Sequence, residues 1–332
     1  MKAAIVENAG AVVVRELPAP VPGEYEAQCQ MLFGTICAGT DNHLALGHPP
    51  FCYWIKPPFI LGHESVGRVV TVGAKVRHLR VGDVITRVGC PPVGGVNCGW
   101  GGFAETGIAT DWRALQEDGL TGWEDKTVQQ ILPADIEPAI GTLFITWRET
   151  LSYVRRMGVR TGAAVLILGS GGNGLAFAAH ARNLGATRIA VVGSGARAAA
   201  ATLAGATETH DYRRDDAWAG LANGFDYVID SVGKARNVQC GQQCLKAGGT
   251  LGIYGLDEAG QLTLAPGKTF TFYNSGYDEA EAHDAVLSYY RQGKLNPAIW
   301  LDRRQVFALA DINAALNAVR TRTLIKPLVR LN

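Results

Sequence analysis

Apolar positions follow two rhythms along the chain, and the change comes near residue 138. Before it, runs such as AAIVENAGAVVVREL, SVGRVVTVG, GDVITRVG and GGFAETGIAT are separated by Gly, Pro and Asn turns at short intervals. That pattern predicts strands and no sustained helix. Beyond it, Ile140 to Met157 reads as a helix with Gly158 at its C-terminal stop. Strands and helices then alternate: AAVLIL, the helix GLAFAAHARNL closed by Gly185, RIAVV, ARAAAATLA ending at Gly205, DYVID, a helix through Cys240 and Cys244, and TLGIYG. Continuous apolar strands between helices predict a parallel sheet covered on both faces. The tail adds helices through SYYRQGKL and DINAALNAV and a closing strand, IKPLVRL.

Composition narrows the possibilities. A 332-residue chain with 47% hydrophobic and 18% charged residues is long enough for two domains with buried cores. The net charge of +1 comes without a basic block, so neither nucleic acid nor a membrane surface is an expected partner. The N-terminus lacks signal-peptide character, and no apolar run is long enough to span a bilayer. Seven scattered cysteines suit a reducing cytoplasm better than a disulfide framework.

The clearest chemistry follows the strand AAVLIL. GSGGNG sets Gly169, Gly171 and Gly174 as G-x-G-x-x-G at the opening of a helix. Gly169 permits the tight turn, Gly171 lets backbone approach a pyrophosphate, and Gly174 lets the helix pack on the strand. Gly172 and Asn173 begin the helix whose free N–H groups would receive that pyrophosphate. The next strand ends in Gly193-Ser194-Gly195-Ala196-Arg197, with no acid to hold a ribose 2′-hydroxyl. Ser194 and Arg197 could instead bind a 2′-phosphate, so NADP is expected over NAD. Ser231 and Tyr254, at the ends of later strands, are further cofactor candidates.

The order of motifs is C…GTD-x-H at Cys37 to His43, GHE-x-x-G-x-V at Gly62 to Val69, Gly82-Asp83, GGFAE at Gly101 to Glu105, then GSGGNG. Over essentially the whole chain this resembles the medium-chain dehydrogenase/reductase superfamily, in its alcohol and polyol dehydrogenase branch. The resemblance implies an α/β fold of two parts. One is a GroES-like β-rich catalytic domain, expected over residues 1–139 and completed by 285–332. The other is a Rossmann-type doubly wound parallel sheet over 140–284. It also implies hydride transfer and assembly as a homodimer or homotetramer. Thr40 and His43 keep the places of a proton relay, a task suited to a near-neutral imidazole; Thr40 could equally serve as a helix N-cap. His63 joins them as a catalytic candidate.

Two departures concern zinc. Only Cys90 and Cys98 stand between Gly82-Asp83 and GGFAE, too few for a closed four-coordinate site, so no structural zinc is expected. In the catalytic motif, the resemblance places the ligand cysteine directly before G-T-D, where this chain has Ala38, with Cys37 one residue earlier. The third ligand position falls at Ile145, and the nearest carboxylates are Glu137 and Glu149. The expectation is a remodelled metal site, with Cys37, His63 and Glu64 as ligands if zinc is retained. Phe51, Tyr53 and Trp54 stand where relatives line the substrate cleft, a position equally suited to packing. The reading is NADP-dependent interconversion of a secondary alcohol and a ketone, on a polyol, sugar-like or cyclitol substrate. The rivals are a zinc-free reductase of activated C=C bonds and a cofactor-binding protein without turnover.

Overall fold

The computed structural model describes residues 1–256 and 268–332. Two compact units emerge, one of residues 1–145 with 300–332, the other of residues 146–299. These limits differ from the expected ones at both joins. The helix Leu143–Arg156 carries the first limit inside it. The helix His283–Arg291 and the turn Pro297–Ile299 stay with the second unit, the turn packing on the helix Ala198–Ala204. The expected 140–157 helix is two pieces, Pro138–Gly141 and Leu143–Arg156, ended by Gly158 at φ +88°.

The first unit is built on two sheets. A seven-stranded sheet contains the long strands Glu26–Thr35 and Glu64–Val72, paired antiparallel, with Leu328–Arg330 returning from the C-terminus to pair with Glu26–Thr35. A four-stranded sheet is centred on Lys2–Asn8 and Phe59–Ile60. Ala3, Ile5, Leu17, Ile60, Val96 and Ala104 form one of its cores. Register in this unit positions function directly, because Thr35 is paired with Glu64 across the central strands.

The second unit carries six parallel strands in the spatial order Glu208–Asp211, Arg188–Gly193, Ala164–Leu168, Phe225–Asp230, Leu245–Ile253, Phe270–Tyr273. Numbered by sequence that order is 3-2-1-4-5-6, the dinucleotide-binding arrangement. Ala164–Leu168 is buried along its length, as a central parallel strand must be. The helix Gly172–Asn183 packs on this strand and on Arg188–Gly193, and Ala235–Cys244 packs on Phe225–Asp230 and Leu245–Ile253. Among the described residues no helix is long and apolar enough to cross a membrane.

Candidate active site

The strand Glu26–Thr35 ends two residues before Cys37, and the helix Thr40–Leu46 begins three residues after it. Cys37 is buried, whereas Ala38 is exposed. Alternation of faces holds along a strand, but this stretch lies outside the ladder, so the turn can absorb one extra residue as an outward bulge. Asp41, wholly buried, fixes the turn: one carboxylate oxygen accepts the Cys37 backbone N–H at 2.8 Å, and the other accepts Nδ1 of His63 at 3.0 Å. With Nδ1 donating to Asp41, Nε2 of His63 is the ring nitrogen left to bind an ion.

Glu64 follows His63 and is almost fully buried. Its carboxylate accepts the Thr35 hydroxyl at 2.8 Å and takes both oxygens to Nζ of Lys326, at 2.6 and 2.5 Å. Lys326 is itself 97% shielded, so the two charges compensate each other out of water. One donor atom each from Cys37, His63 and Glu64 lies within 4.8 Å of the other two. Burial by itself would push the His63 imidazole down; Asp41 and Cys37 outweigh it and hold the pKa well above its ordinary value.

A thiol, an imidazole and a carboxylate form a donor set that zinc accepts, and Asp41 supplies the carboxylate–histidine support typical of such ligands. The residues present therefore fit a zinc ion, and they are the three named as ligands for the case in which zinc is retained. The expected third position is empty of donors, since Ile145 is wholly buried and apolar. Glu137 pairs with Arg303 and Glu149 accepts the Tyr254 hydroxyl at 2.7 Å. Cys90 and Cys98 are pushed up by burial to about 12 and about 11, so both are neutral thiols at ordinary pH.

Thr40 opens the helix Thr40–Leu46, whose N-cap is Gly39, so Thr40 does not cap it. His43 lies one turn on, mostly buried, with Nδ1 donating to the Gly39 carbonyl at 2.9 Å. That bond leaves Nε2 as the proton-accepting nitrogen. Of the aromatic candidates, Phe51 is buried while Tyr53 and Trp54 are exposed. Sequence reasoning missed Trp100, whose ring centroid lies 5.7 Å from that of His63.

In the second unit the glycine turn has the form the motif requires. Gly169 has φ +112°, and a Cβ there would sit 2.4 Å from the Ser231 hydroxyl. A Cβ at Gly174 would come within 2.1 Å of the Gly169 carbonyl, whereas Gly171 faces open space. Gly172 and Asn173 begin the helix Gly172–Asn183 just beyond it. Ser231 donates to the Leu168 carbonyl at 2.7 Å and Tyr254 to Glu149, so both hydroxyls brace the strand ends. A neighbouring pocket is lined by Ser170, Ser194, Arg197, His210 and Asp211. Arg197 donates to the Ser170 carbonyl at 3.2 Å, and the Ser194 N–H donates to the Ser170 hydroxyl at 2.9 Å. Asp211 was missed by the sequence reading because it comes from the third strand, not the second. Its carboxylate is gripped by Arg213 and lies against Gly195, where a Cβ would be 2.4 Å away.

Comparison with known proteins places this geometry. Residues 23–118 match the alcohol dehydrogenase GroES-like domain family, and residues 172–276 match the zinc-binding dehydrogenase family. The chain belongs to the medium-chain dehydrogenase/reductase superfamily, in its zinc-type alcohol and polyol dehydrogenase branch. It is an NAD(P)-dependent oxidoreductase of that family. The sorbitol dehydrogenase of Bacillus subtilis (strain 168) is 27% identical over 279 residues, 80% of this chain and 77% of that protein. The L-galactonate-5-dehydrogenase of Escherichia coli (strain K12) is 27% identical over 99% of this chain and 98% of its own length. Among solved structures, the alcohol dehydrogenase TADH from Thermus sp. ATN1 superposes with a TM-score of 0.81 at 22% identity, covering 99% of each chain. As a medium-chain dehydrogenase, the chain departs from the expected pattern in having Ala38 directly before Gly39-Thr40-Asp41 and in Ile145. The buried supports of its ligand set, Asp41 and Lys326, lie outside the residues that the sequence reading named.

Proposed function

We propose that this medium-chain dehydrogenase uses NADP(H) to interconvert a secondary alcohol and a ketone on a polyol, sugar-like or cyclitol substrate, with zinc held by Cys37, His63 and Glu64. The carrying observation is the buried convergence of those three donors around the Asp41-oriented imidazole. Relatives named for sorbitol and L-galactonate support the polyol class. The strand end without an acid, followed by Ser194 and Arg197, supports NADP.

When bound, zinc supplies a Lewis acid for the substrate oxygen and NADP(H) supplies the hydride carrier. The chain's own residues do the rest. Asp41 sets the orientation of His63 and, through the Cys37 N–H, the turn that presents the thiol. Lys326 and Thr35 hold the Glu64 carboxylate in place, and the Lys326 ammonium offsets the negative charge it lends the site. His43 holds or moves a proton at Nε2, and the Thr40 hydroxyl stands at the first turn of the same helix. The glycine turn and the opening of the helix Gly172–Asn183 receive the pyrophosphate. Assembly as a homodimer or homotetramer belongs to the same proposal, and light scattering coupled to size exclusion would measure it.

The test is turnover. His43→Ala and Thr40→Ala should each lower kcat by about 100-fold and leave NADPH affinity nearly intact. Normal turnover by both variants would remove the relay. A preference for enones over ketones would favour C=C reduction.

A further inference from the structure

Phe51, Trp54 and Trp100 form a closed edge-to-face triangle. Their ring centroids are 5.6, 5.8 and 5.6 Å apart, with interplanar angles of 71°, 82° and 83°. Such contacts are the preferred arrangement of aromatic quadrupoles, and each ring's orientation is fixed by the edges of the others. Phe51 is the buried anchor, while Trp54 is 58% exposed and Trp100 is 40% exposed. Two large indoles thus leave apolar surface open to solvent, a pattern that marks ligand-binding surface when it adjoins a polar reacting centre.

Trp100 ties this surface to the metal ligands, because its ring is tilted at 51° over His63. Its backbone is in the left-handed region at φ +66°, unfavourable for a residue with a large side chain. The chain has glycine at 99 and at 101, yet keeps an indole at 100. Holding an unfavourable backbone for the sake of a side chain is a cost that functional sites bear.

Three polar side chains close in sequence to the ligand set and the aromatic triangle are already engaged. Lys56 Nζ donates to the Cys52 carbonyl, the Asn42 amide oxygen accepts from Arg320, and Glu64 is held by Lys326 and Thr35. What this wall offers a substrate is therefore flat apolar area more than hydroxyl-reading groups. An acyclic polyol has no continuous apolar face, since its hydroxyls point in every direction along a flexible chain. A six-membered ring has one: its axial C–H bonds form a flat patch that packs on an indole through dispersion and weak C–H contacts.

We infer that the substrate is cyclic, and that the Trp54–Trp100 wall selects it by taking one apolar face of its ring beside His63. This rests on the alcohol–ketone reading above and narrows its substrate class from polyols in general to ring-bearing secondary alcohols and their ketones.

The experiment uses the full-length holoenzyme and two matched six-carbon pairs, cyclohexanol against hexan-2-ol and myo-inositol against sorbitol. In the pair turned over faster, the cyclic member should have kcat/KM at least about tenfold higher, and Trp54→Ala and Trp100→Ala should each lower the cyclic member's kcat/KM several-fold more than the acyclic member's, removing most of that margin. An acyclic member equal or superior, or equal losses for both members, overturns the inference and leaves the alcohol–ketone reading standing. Binding is read separately from turnover. With no cofactor added, cyclohexanone should change the tryptophan fluorescence of the wild type more than hexan-2-one does, and Trp54→Ala, at the more exposed ring, should reduce the difference. If no alcohol is oxidised but this ring-selective signal persists, the inference stands and the reaction assignment fails. Equal signals from the two ketones overturn the inference.

Discussion

The glycine turn of the second unit and the cysteine turn of the first present the same problem and solve it differently. Both must place backbone and side chains at the end of a strand and the start of a helix. At Gly169 to Gly174 the solution is written in residue type, because a Cβ at Gly169 or Gly174 would collide within 2.4 Å of neighbouring atoms. Only glycine satisfies that geometry, so spacing alone identifies it. At Cys37 to Asp41 the solution is written in packing. Ala38 is turned outward and Cys37 inward, and buried Asp41 ties Cys37 and His63 together. Sterically dictated motifs are tolerant of nothing and easy to read; packed turns tolerate an insertion and defeat counting.

The strongest test of this contrast moves the thiol by one position. Cys37→Ala should reduce bound zinc to a small fraction of the wild-type content and lower activity by at least about 100-fold. Adding Ala38→Cys to that variant, which restores an ungapped match to the expected spacing, should recover neither. Elemental analysis alongside turnover measures both outcomes. Recovery by the double variant would show that the turn can present either residue, and that spacing had been the better guide. Full activity of Cys37→Ala with no bound metal would return the site to the remodelled reading.

How much the sequence disclosed follows the same division. The alternation of buried strands and helices from 164 onward, and four strands of the parallel sheet, were legible because parallel strands covered on both faces need unbroken apolar runs; the edge strands Glu208–Asp211 and Phe270–Tyr273, which are little buried, were not. The β-rich character of the first unit was legible from its turn residues. The limits between units were not, since the helix Leu143–Arg156 crosses one of them without a break in its pattern. In the site, Cys37, His63 and Glu64 were named, but their supports were not. Lys326 meets Glu64 across 262 residues of sequence, and such a partner leaves no local trace. Asp41 had a signal, its place inside the GTD motif, and would have been found by asking what holds the Nδ1 of a ligating histidine. Trp100 had one too, an indole set between glycines.

A smaller effect separates the two halves of the cofactor argument. Arg197 lines the pocket beside Ser194, and a charge-assisted contact to a 2′-phosphate is worth about 1.5–3 kcal/mol. Arg197→Ala should therefore weaken NADPH roughly 10- to 100-fold and leave NADH within about twofold, measured by equilibrium titration. Equal losses would mean that Arg197 serves only its bond to the Ser170 carbonyl.

The smallest expected effect concerns the acid that counting along one strand could not find. Asp211 stands in the same pocket as Arg197 and would repel a 2′-phosphate, yet its charge is largely answered by Arg213, which bonds both carboxylate oxygens. That side-chain pairing, helped by the Arg213 backbone N–H, draws the Asp211 pKa down to about 2. The sign follows directly. A carboxyl with a depressed pKa stays ionised at every pH well above that value, so its influence is constant near neutrality and is lost only in strong acid. Asp211→Asn removes the repulsion and releases Arg213, so NADPH affinity should rise by a few-fold while NADH affinity stays level, solvent around the exposed Arg213 keeping the change small. The variant's gain should be flat between roughly pH 7 and 9, where the 2′-phosphate keeps both charges and no titration of Asp211 falls. A gain for NADH instead would mean that Arg213, once released, does not reach the phosphate, and that Asp211 is not the residue opposing NADP.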